Sequence, residues 1–297
     1  HPACTRCTRC SHSSFDLSEV RRVAIETIIW KPPHGPNLGR LLGILRSSEI
    51  ADKRVVLRAV HRRGYDRRVT TEVRAEIAAN LARVQERMAA AAERASRSPS
   101  DIRLIAVSKT FPPDVIIEAV RAGVTDLGEN RVQEGAQKIP EVEAAGLSPT
   151  WHLIGHLQSN KVKPALELFD TIHSVDTLEL AERIARLAQK PARILLEVNT
   201  SGEASKFGLP PGDVERVATG VRDLPNIELT GLMTVGPLAD DPEVVRPAFR
   251  TLRALRDKLG LPELSMGMSG DFEIAIEEGS TIVRVGRAIF GARSYPV

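Results

Sequence analysis

Beyond the first seventy residues, the spacing of hydrophobic positions changes repeatedly between that of a helix and that of a strand. Ile77, Leu81 and Val84 recur three or four positions apart, which predicts an amphipathic helix over residues 71–94. Thr71 is a suitable N-terminal cap for this helix, because its hydroxyl can accept a hydrogen bond from a backbone N–H of the first turn.

After this helix, short segments rich in Val, Ile and Leu alternate with amphipathic segments. The predicted strands are 102–107, 124–127, 151–154, 171–174, 193–198, 227–233, 264–266 and 281–285. The predicted helices between and after them are 113–122, 132–145, 161–168, 177–189, 211–223, 242–259, 272–278 and 288–290.

Strict alternation of strand and helix predicts an α/β fold with a parallel sheet and right-handed crossovers. Eight strands favour a closed (β/α)8 TIM barrel over an open doubly wound sheet. No Gly-x-Gly-x-x-Gly follows the first strand, which weakens a dinucleotide-binding interpretation. We therefore predict one barrel domain over residues 71–297.

Residues 1–70 lack sustained periodicity, which predicts an irregular basic extension. A disordered segment and a mispredicted gene start are the alternatives. Residues 1–75 hold 15 Lys and Arg against 7 Asp and Glu, whereas the rest of the chain holds 26 against 31. The slightly acidic barrel gives no support for nucleic-acid binding.

The three cysteines, Cys4, Cys7 and Cys10, lie within this extension. Their spacing is compatible with zinc or a cluster if His1 or His12 supplies a fourth ligand, but a fourth nearby Cys is missing, and we predict no metal site. The barrel without Cys is not a disulfide scaffold. The chain has no long apolar run and no secretory-signal pattern, so we expect a cytoplasmic protein without a membrane span.

Polar residues follow all eight predicted strands, at the end of the barrel where chemistry collects in this fold. A functional site explains this convergence better than solvated loop ends do. Lys109 comes after Ser108 at the end of a buried strand, where partial burial disfavours the ammonium and leaves some amine to attack an aldehyde. A lysine that merely extends from the barrel rim is the alternative.

Residues 265–269 (SMGMS) precede a helix and resemble a phosphate-binding turn. Gly267 allows close approach to the backbone, Ser269 offers a hydroxyl, and Gly286 follows strand 8 in the same region. An ordinary helix cap is the alternative. Arg284 lies inside strand 8, where it needs either a ligand or a structural ion pair.

The sequence resembles the YggS/PROSC type of pyridoxal 5'-phosphate (PLP)-binding proteins, also called PLP homeostasis proteins. The matching segments are 104–110 (LIAVSKT), 127–133 (LGENRVQ), 151–161 (WHLIGHLQSNK), 172–176 (IHSVD), 198–208 (VNTSGEASKFG), 231–235 (GLMTV), 264–269 (LSMGMS), 271–276 (DFEIAI) and 279–293 (GSTIVRVGRAIFGAR).

The resemblance implies the alanine racemase N-terminal domain fold, PLP fold-type III, with PLP held as a Schiff base on Lys109. It implies that Met268, Ser269 and Gly286 lie by the phosphate and that Arg284 faces the pyridine nitrogen. It also implies a mobile loop near the site that carries Lys206. The residues that would line the rest of the cofactor pocket are Asn130, His156, Ser174, Asn199 and Met233.

An Arg at the pyridine nitrogen leaves that nitrogen unprotonated, which makes the cofactor a weaker electron sink. Racemases related to this family use a second base, a Tyr from a C-terminal β domain. Here Tyr65 lies outside the matched region and Tyr295 lies near the end of the chain. We therefore expect a non-enzymatic PLP carrier in vitamin B6 homeostasis, with PLP-dependent apoenzymes as candidate partners, and the resemblance implies a monomer. A PLP-dependent amino-acid racemase and a lysine Schiff-base aldolase are the alternatives.

Overall fold

The computed structural model describes residues 67–291, apart from residues 204, 238 and 240. Eight parallel strands close into a barrel in which each strand pairs with the next along the chain and the first pairs with the last. The predicted (β/α)8 fold is confirmed.

The strands have the following bounds: Arg103–Val107 (β1), Asp126–Glu129 (β2), Thr150–Leu153 (β3), Thr171–Val175 (β4), Ala192–Glu197 (β5), Ile227–Met233 (β6), Glu263–Ser265 (β7) and Ile282–Val285 (β8). Short 3-10 turns occur at Pro99–Asp101, Ser159–Lys161 and Pro211–Asp213. The α-helices of the described residues are Arg67–Arg94 (α1), Pro113–Arg121 (α2), Val132–Ala144 (α3), Val162–Leu168 (α4), Leu178–Leu187 (α5), Val214–Arg222 (α6), Pro242–Leu259 (α7), Phe272–Glu277 (α8) and Arg287–Phe290 (α9).

The main hydrophobic core lies between the barrel and its surrounding helices. Leu127 and Leu153 from the strands and Ile116, Ile184 and Phe249 from the helices are all fully buried in it. Hydrophobic residues of the strands and of the helices therefore pack against each other in one cluster.

The first helix begins earlier than predicted. It starts at Arg67, so Thr71 lies inside α1 instead of capping it. No Pro or Gly interrupts residues 67–71, and a Thr costs a helix interior only a few tenths of a kcal/mol, so the capping residue type was a weak indicator of the boundary.

The second strand begins two residues later than predicted, at Asp126. Val124 instead closes the preceding helix, because its N–H donates to the Ala119 carbonyl while Gly123 adopts a φ of +110°. As a result, Gly128 and Glu129 belong to the strand instead of to the loop beyond it.

Nearly all of the predicted basic extension, with Cys4, Cys7 and Cys10, lies outside the described residues. Its last residues, from Arg67, belong to α1. None of the helices in the described part combines the length and the apolar character of a membrane span. Within residues 67–291, apart from the three gaps, no group of His, Cys, Asp or Glu side chains is arranged to hold a metal ion.

Candidate functional site

Lys109 lies on the turn after β1, and buried charged side chains stabilise this turn through hydrogen bonds. Ser108 is fully buried, and its Oγ donates to Glu129 Oε1 at 2.7 Å. Lys138 Nζ, also buried, donates to the Ser108 carbonyl at 2.9 Å and to carboxylate oxygens of Glu129 and Glu134 at 2.8 Å. These contacts fix the backbone immediately before Lys109.

The backbone immediately after Lys109 is fixed as well. Thr110 adopts a left-handed φ of +71°, and its N–H donates to Glu134 Oε2 at 2.8 Å. A non-Gly residue in this region costs energy, so the hydrogen bond to Glu134 stabilises a conformation the chain would otherwise avoid. Lys109, itself half-buried, is therefore presented by a turn with little freedom.

The two carboxylates that share Lys138 have pKa values shifted in opposite directions. Burial raises the pKa of Glu129, and the charge and hydrogen bonds from Lys138 offset this only in part. Burial also acts to raise the pKa of Glu134, but its hydrogen bonds from Lys138 and the Thr110 N–H outweigh burial and lower it. The difference follows from exposure, since the Glu129 side chain is fully buried whereas that of Glu134 is 22% exposed.

The predicted phosphate turn lies beside the end of β1. Gly286 N–H donates to Ser269 Oγ at 3.3 Å, and a Cβ on Gly286 would lie 3.2 Å from the Val107 carbonyl oxygen. Gly267 has a φ of +94°, and a Cβ there would lie 2.6 Å from Ala275 Cβ. Glycine is therefore required at Gly267, whereas the space at Gly286 is tight for a Cβ.

Some N–H groups of this turn are already engaged. Met268 N–H donates to Asp271 Oδ1, and Phe272 N–H donates to the Met268 carbonyl. The N–H groups of Ser269 and Gly270 have no acceptor among the described residues. Gly270, which the sequence did not single out, therefore adds a donor beside Ser269.

Arg284 is buried in β8 and points towards neutral acceptors. Its Nη1 donates to Ser265 Oγ at 2.7 Å and its Nη2 to the Thr234 carbonyl at 2.8 Å. No carboxylate of the described residues lies within ion-pair distance of it. Burial lowers the pKa of Arg284 to about 10, offset by the charges of Asp271 and Glu197, so the guanidinium stays protonated at neutral pH. The alternative of a structural ion pair is thus wrong for the described residues.

The mouth of the barrel is the end at which the eight strands terminate. His156 and Ser174 lie on the side of this mouth that β3 and β4 form. His156 is exposed, stacks on Phe207 with ring centroids 4.0 Å apart, and lies 3.3 Å from Asp176 Oδ2. Ser174 Oγ donates to the Gly155 carbonyl at 2.6 Å. This hydroxyl orders the loop that carries His156.

Asn199 organises the loop after β5. Its Nδ2 donates to the carbonyls of Glu203 and Lys206, and its Oδ1 accepts from Ser201 Oγ and Gly202 N–H. Because all of these partners are loop atoms, Asn199 shapes this side of the mouth. Lys206 Nζ in turn donates to Glu203 Oε1 and to the Gly236 carbonyl.

Two further predicted pocket residues lie at strand ends. Met233 is fully buried at the end of β6, and Asn130, half-buried, follows β2. A Cβ on Gly155 would lie 2.4 Å from the Asn130 carbonyl, so the loops after β2 and β3 are in direct contact.

Glu197 is a titratable group of the mouth that sequence reasoning missed. It ends β5 and is 7% exposed. Burial and the neighbouring charge of Asp176 raise its pKa to about 7, with Arg284 acting in the opposite sense. Its position at the end of a hydrophobic strand was one indication of a functional role in the sequence. The raised pKa could not be predicted, because it depends on the burial of the side chain in the folded protein.

These residues fit PLP. The fit rests on the turn at Ser269 and Gly270 with unused N–H donors, on the close backbone approach at Gly286, and on the buried guanidinium of Arg284. The pairing of Ala106 with Val285 brings the Lys109 turn and Gly286 to neighbouring strand ends. The Lys109 amine, a turn with unused backbone N–H donors and a buried guanidinium thus lie on adjacent elements.

The family described as "Alanine racemase, N-terminal domain" matches residues 77–294. A pyridoxal phosphate homeostasis protein of Aquifex aeolicus is 46% identical over 224 residues, which cover 72% of this chain and 97% of the relative. The chain belongs to the pyridoxal phosphate homeostasis protein family.

Solved structures agree with membership of the pyridoxal phosphate homeostasis protein family. PipY of Synechococcus elongatus, solved with PLP bound, is 37% identical, with a TM-score of 0.64 over 72% of this chain and 100% of PipY. Alanine racemase of Corynebacterium glutamicum is 21% identical, with a TM-score of 0.58 over 74% of this chain and 62% of the racemase. The likeness to the racemase shows the shared barrel fold alone.

Proposed function

We propose that this protein binds PLP through a Schiff base on Lys109 and takes part in intracellular PLP homeostasis, with an indirect effect on amino-acid balance. The observation that carries the proposal is the juxtaposition of the Lys109 turn, the Ser269–Gly286 contact and the buried Arg284. PipY, a relative with this barrel, was solved with PLP. PLP supplies an aldehyde that condenses with an amine and a ring that withdraws electrons.

The chain's own residues divide the work of binding. Ser269 Oγ and the N–H groups of Ser269 and Gly270 hold the phosphate, with Met268 beside it and with Gly286, whose N–H donates to Ser269 Oγ, at the same place. Arg284 faces the pyridine nitrogen and keeps it unprotonated, because the guanidinium gives up no proton near neutral pH. The side of the ring is bordered by Asn130, His156, Ser174, Asn199 and Met233.

This arrangement favours a carrier over a racemase. A ring nitrogen without a proton stabilises a carbanion poorly, so the site suits holding and releasing the cofactor. We further propose a monomer in the cytoplasm that delivers PLP to PLP-dependent apoenzymes. The absence of Cys beyond Cys10 is compatible with a reducing compartment.

The proposal is tested by the visible absorbance of the purified protein with added PLP. We expect a band that borohydride removes, with the reduced adduct mapped to Lys109 by mass spectrometry. Lys109→Ala is expected to lose this band, whereas Lys163→Ala, which removes an exposed lysine of α4, retains it. A wild-type protein that gains no band with PLP refutes the proposal. Exchange of amino-acid α-protons in heavy water at enzyme-like rates would instead favour the racemase.

A further inference from the structure

Five polar side chains form a continuous line of contacts through the barrel. Arg284 Nη1 lies 2.7 Å from Ser265 Oγ, which lies 3.0 Å from His173 Nδ1. His173 Nε2 lies 3.1 Å from His152 Nδ1, and His152 Nε2 lies 3.0 Å from Asp126 Oδ1. We call these five residues the lumen relay.

The lumen relay crosses the interior of the barrel from the mouth to the opposite end. His173 belongs to β4 and Ser265 to β7, which are not neighbours, so their contact must span the lumen. Asp126 opens β2 at the N-terminal end of the barrel. Arg284, at the other end of the relay, donates its backbone N–H to the Gly267 carbonyl of the proposed phosphate turn.

The donor and acceptor chemistry of the lumen relay allows one consistent arrangement when both imidazoles are neutral. Asp126 only accepts, so His152 carries its proton on Nε2 and accepts at Nδ1 from His173 Nε2–H. His173 Nδ1 then accepts from the Ser265 hydroxyl, which accepts from Arg284. Every bond therefore points from the cation of Arg284 towards the anion of Asp126.

The surroundings keep this arrangement in place. Burial, together with electrostatic interactions with His152 and the cations Arg284, Arg103 and Arg193, lowers the pKa of His173 well below its ordinary value. Burial acts to raise the pKa of Asp126, but hydrogen bonds from His152 and Thr125 outweigh it and lower that pKa. A neutral imidazole at the centre and a carboxylate at the end are the states that the one-directional arrangement requires.

We propose that the lumen relay is a positioning device that holds Arg284 in its orientation and couples it to the charge of Asp126 at the far end of the barrel. Ser265, His173, His152 and Asp126 are thus positioning residues. Arg284 is the group that meets the ligand. The proposal rests on the proposed function only in taking PLP as that ligand.

The first test needs no cofactor. In ¹⁵N-labelled full-length protein, long-range proton–nitrogen correlation spectra report which nitrogen of each imidazole carries a proton. We expect both His152 and His173 to be protonated on Nε2 at neutral pH. A proton on His173 Nδ1 would reverse the upper bonds of the relay and overturn the proposal.

The second test breaks one connection and uses a matched control. Ser265→Ala removes the link between Arg284 and His173, and we expect about a fivefold weaker affinity for added PLP, the effect of one net hydrogen bond. Ser280 is also fully buried, but its Oγ bonds the carbonyls of Leu264, Met266 and Ile282 outside the relay. Ser280→Ala is therefore expected to lower stability without changing PLP affinity. Equal affinity losses in the two variants would reduce Ser265 to a structural role.

The third test is made at the remote end. Asp126→Asn and Glu263→Gln each remove one negative charge from the same end of the barrel, and both carboxylates lie near Arg103. Only Asp126 belongs to the relay, so only Asp126→Asn is expected to shift the His173 ring-nitrogen resonances. If both variants shift these resonances alike, the coupling is a general charge effect and the proposal is wrong. If the wild-type protein fails to bind PLP, the proposed function is wrong, and the nitrogen spectra still decide the relay.

Discussion

Lys138 shows how a single buried cation supports the Lys109 turn. It lies between two carboxylates and the Ser108 carbonyl, with 6% of its side chain exposed. Replacing it by an apolar residue leaves Glu129 without its buried counterion, and such losses cost about 3–5 kcal/mol.

Lys138→Met is therefore expected to lower the free energy of unfolding by about that amount, measured by urea denaturation. Lys258→Met is the control, because Lys258 pairs with Glu215 on the surface and its loss should cost less than about 1 kcal/mol. Adding Glu129→Gln and Glu134→Gln to Lys138→Met should recover part of the lost stability. Equal losses for the buried and the surface lysine would contradict the supporting role.

Glu197 predicts a pH-dependent stability. Its pKa of about 7 in the folded state lies above its ordinary value of 4.5, so the folded protein retains a proton that the unfolded chain releases. The stability from this group is fully present below about pH 4.5 and is lost as the pH rises through 7. The loss between pH 5 and pH 8 is roughly 2 kcal/mol.

This dependence is measured as the difference in unfolding free energy between wild type and Glu197→Gln. The difference should fall by that amount from pH 5 to pH 8, because Gln does not titrate. Glu228→Gln provides the control, since that side chain is 55% exposed, and its difference should stay flat. A constant difference for Glu197→Gln would show that its carboxyl is not protonated in the folded state.

Among the secondary-structure elements, the turn between β7 and α8 depends most on glycine. Gly267→Ala places a Cβ 2.6 Å from Ala275 Cβ in a left-handed conformation, so we expect lower stability and weaker PLP affinity together. Gly212→Ala is the control, because nothing lies within 4 Å of its Cβ position and Gly212 lies outside the proposed site. Thermal denaturation and absorbance titration separate the two variants, and similar behaviour would mean that the turn adapts freely.

The elements also show which features the sequence pattern specifies. The bounds of β6 and α7 agree with the prediction. Each is a long segment with one hydrophobic periodicity and clear flanking residues, so the pattern is compatible with only one assignment. The starts of α1 and β2 differ from the predicted ones. Thr71 suits both a helix cap and a helix interior, and Val124 suits both a strand and the end of a helix. The hydrogen bond from the Val124 N–H to the Ala119 carbonyl assigns Val124 to the end of the preceding helix instead of to β2.

The candidate site likewise contains some features that the sequence predicts and others that it does not. Lys109 and residues 265–269 are recognisable because each is a local segment at a strand end. The partners of Arg284 are not, since Ser265 and His173 meet across the lumen and no spacing along the chain records that contact. The sequence contains these residues, but it does not predict that their side chains contact one another in the lumen relay.

For the molecule as a whole, the curated relative from Aquifex aeolicus aligns with this chain over 97% of its own length, while covering 72% of this chain. The matched barrel contains every residue proposed to bind PLP. Removing residues 1–66 is therefore expected to leave PLP occupancy unchanged, as measured by absorbance after purification. A loss of the band, with the barrel still folded by circular dichroism, would assign residues 1–66 a part in binding.

Closure of the barrel sets the order in which the site is completed. β1 carries the Lys109 turn and pairs with β8, where Ile105 lies opposite Arg284. A ribosome makes β1 early and β8 only after every other strand, and pairings between distant segments form late. On the proposed function, a nascent chain therefore contains Lys109 long before it contains the proposed phosphate turn, and we expect only a nearly finished chain to take up PLP.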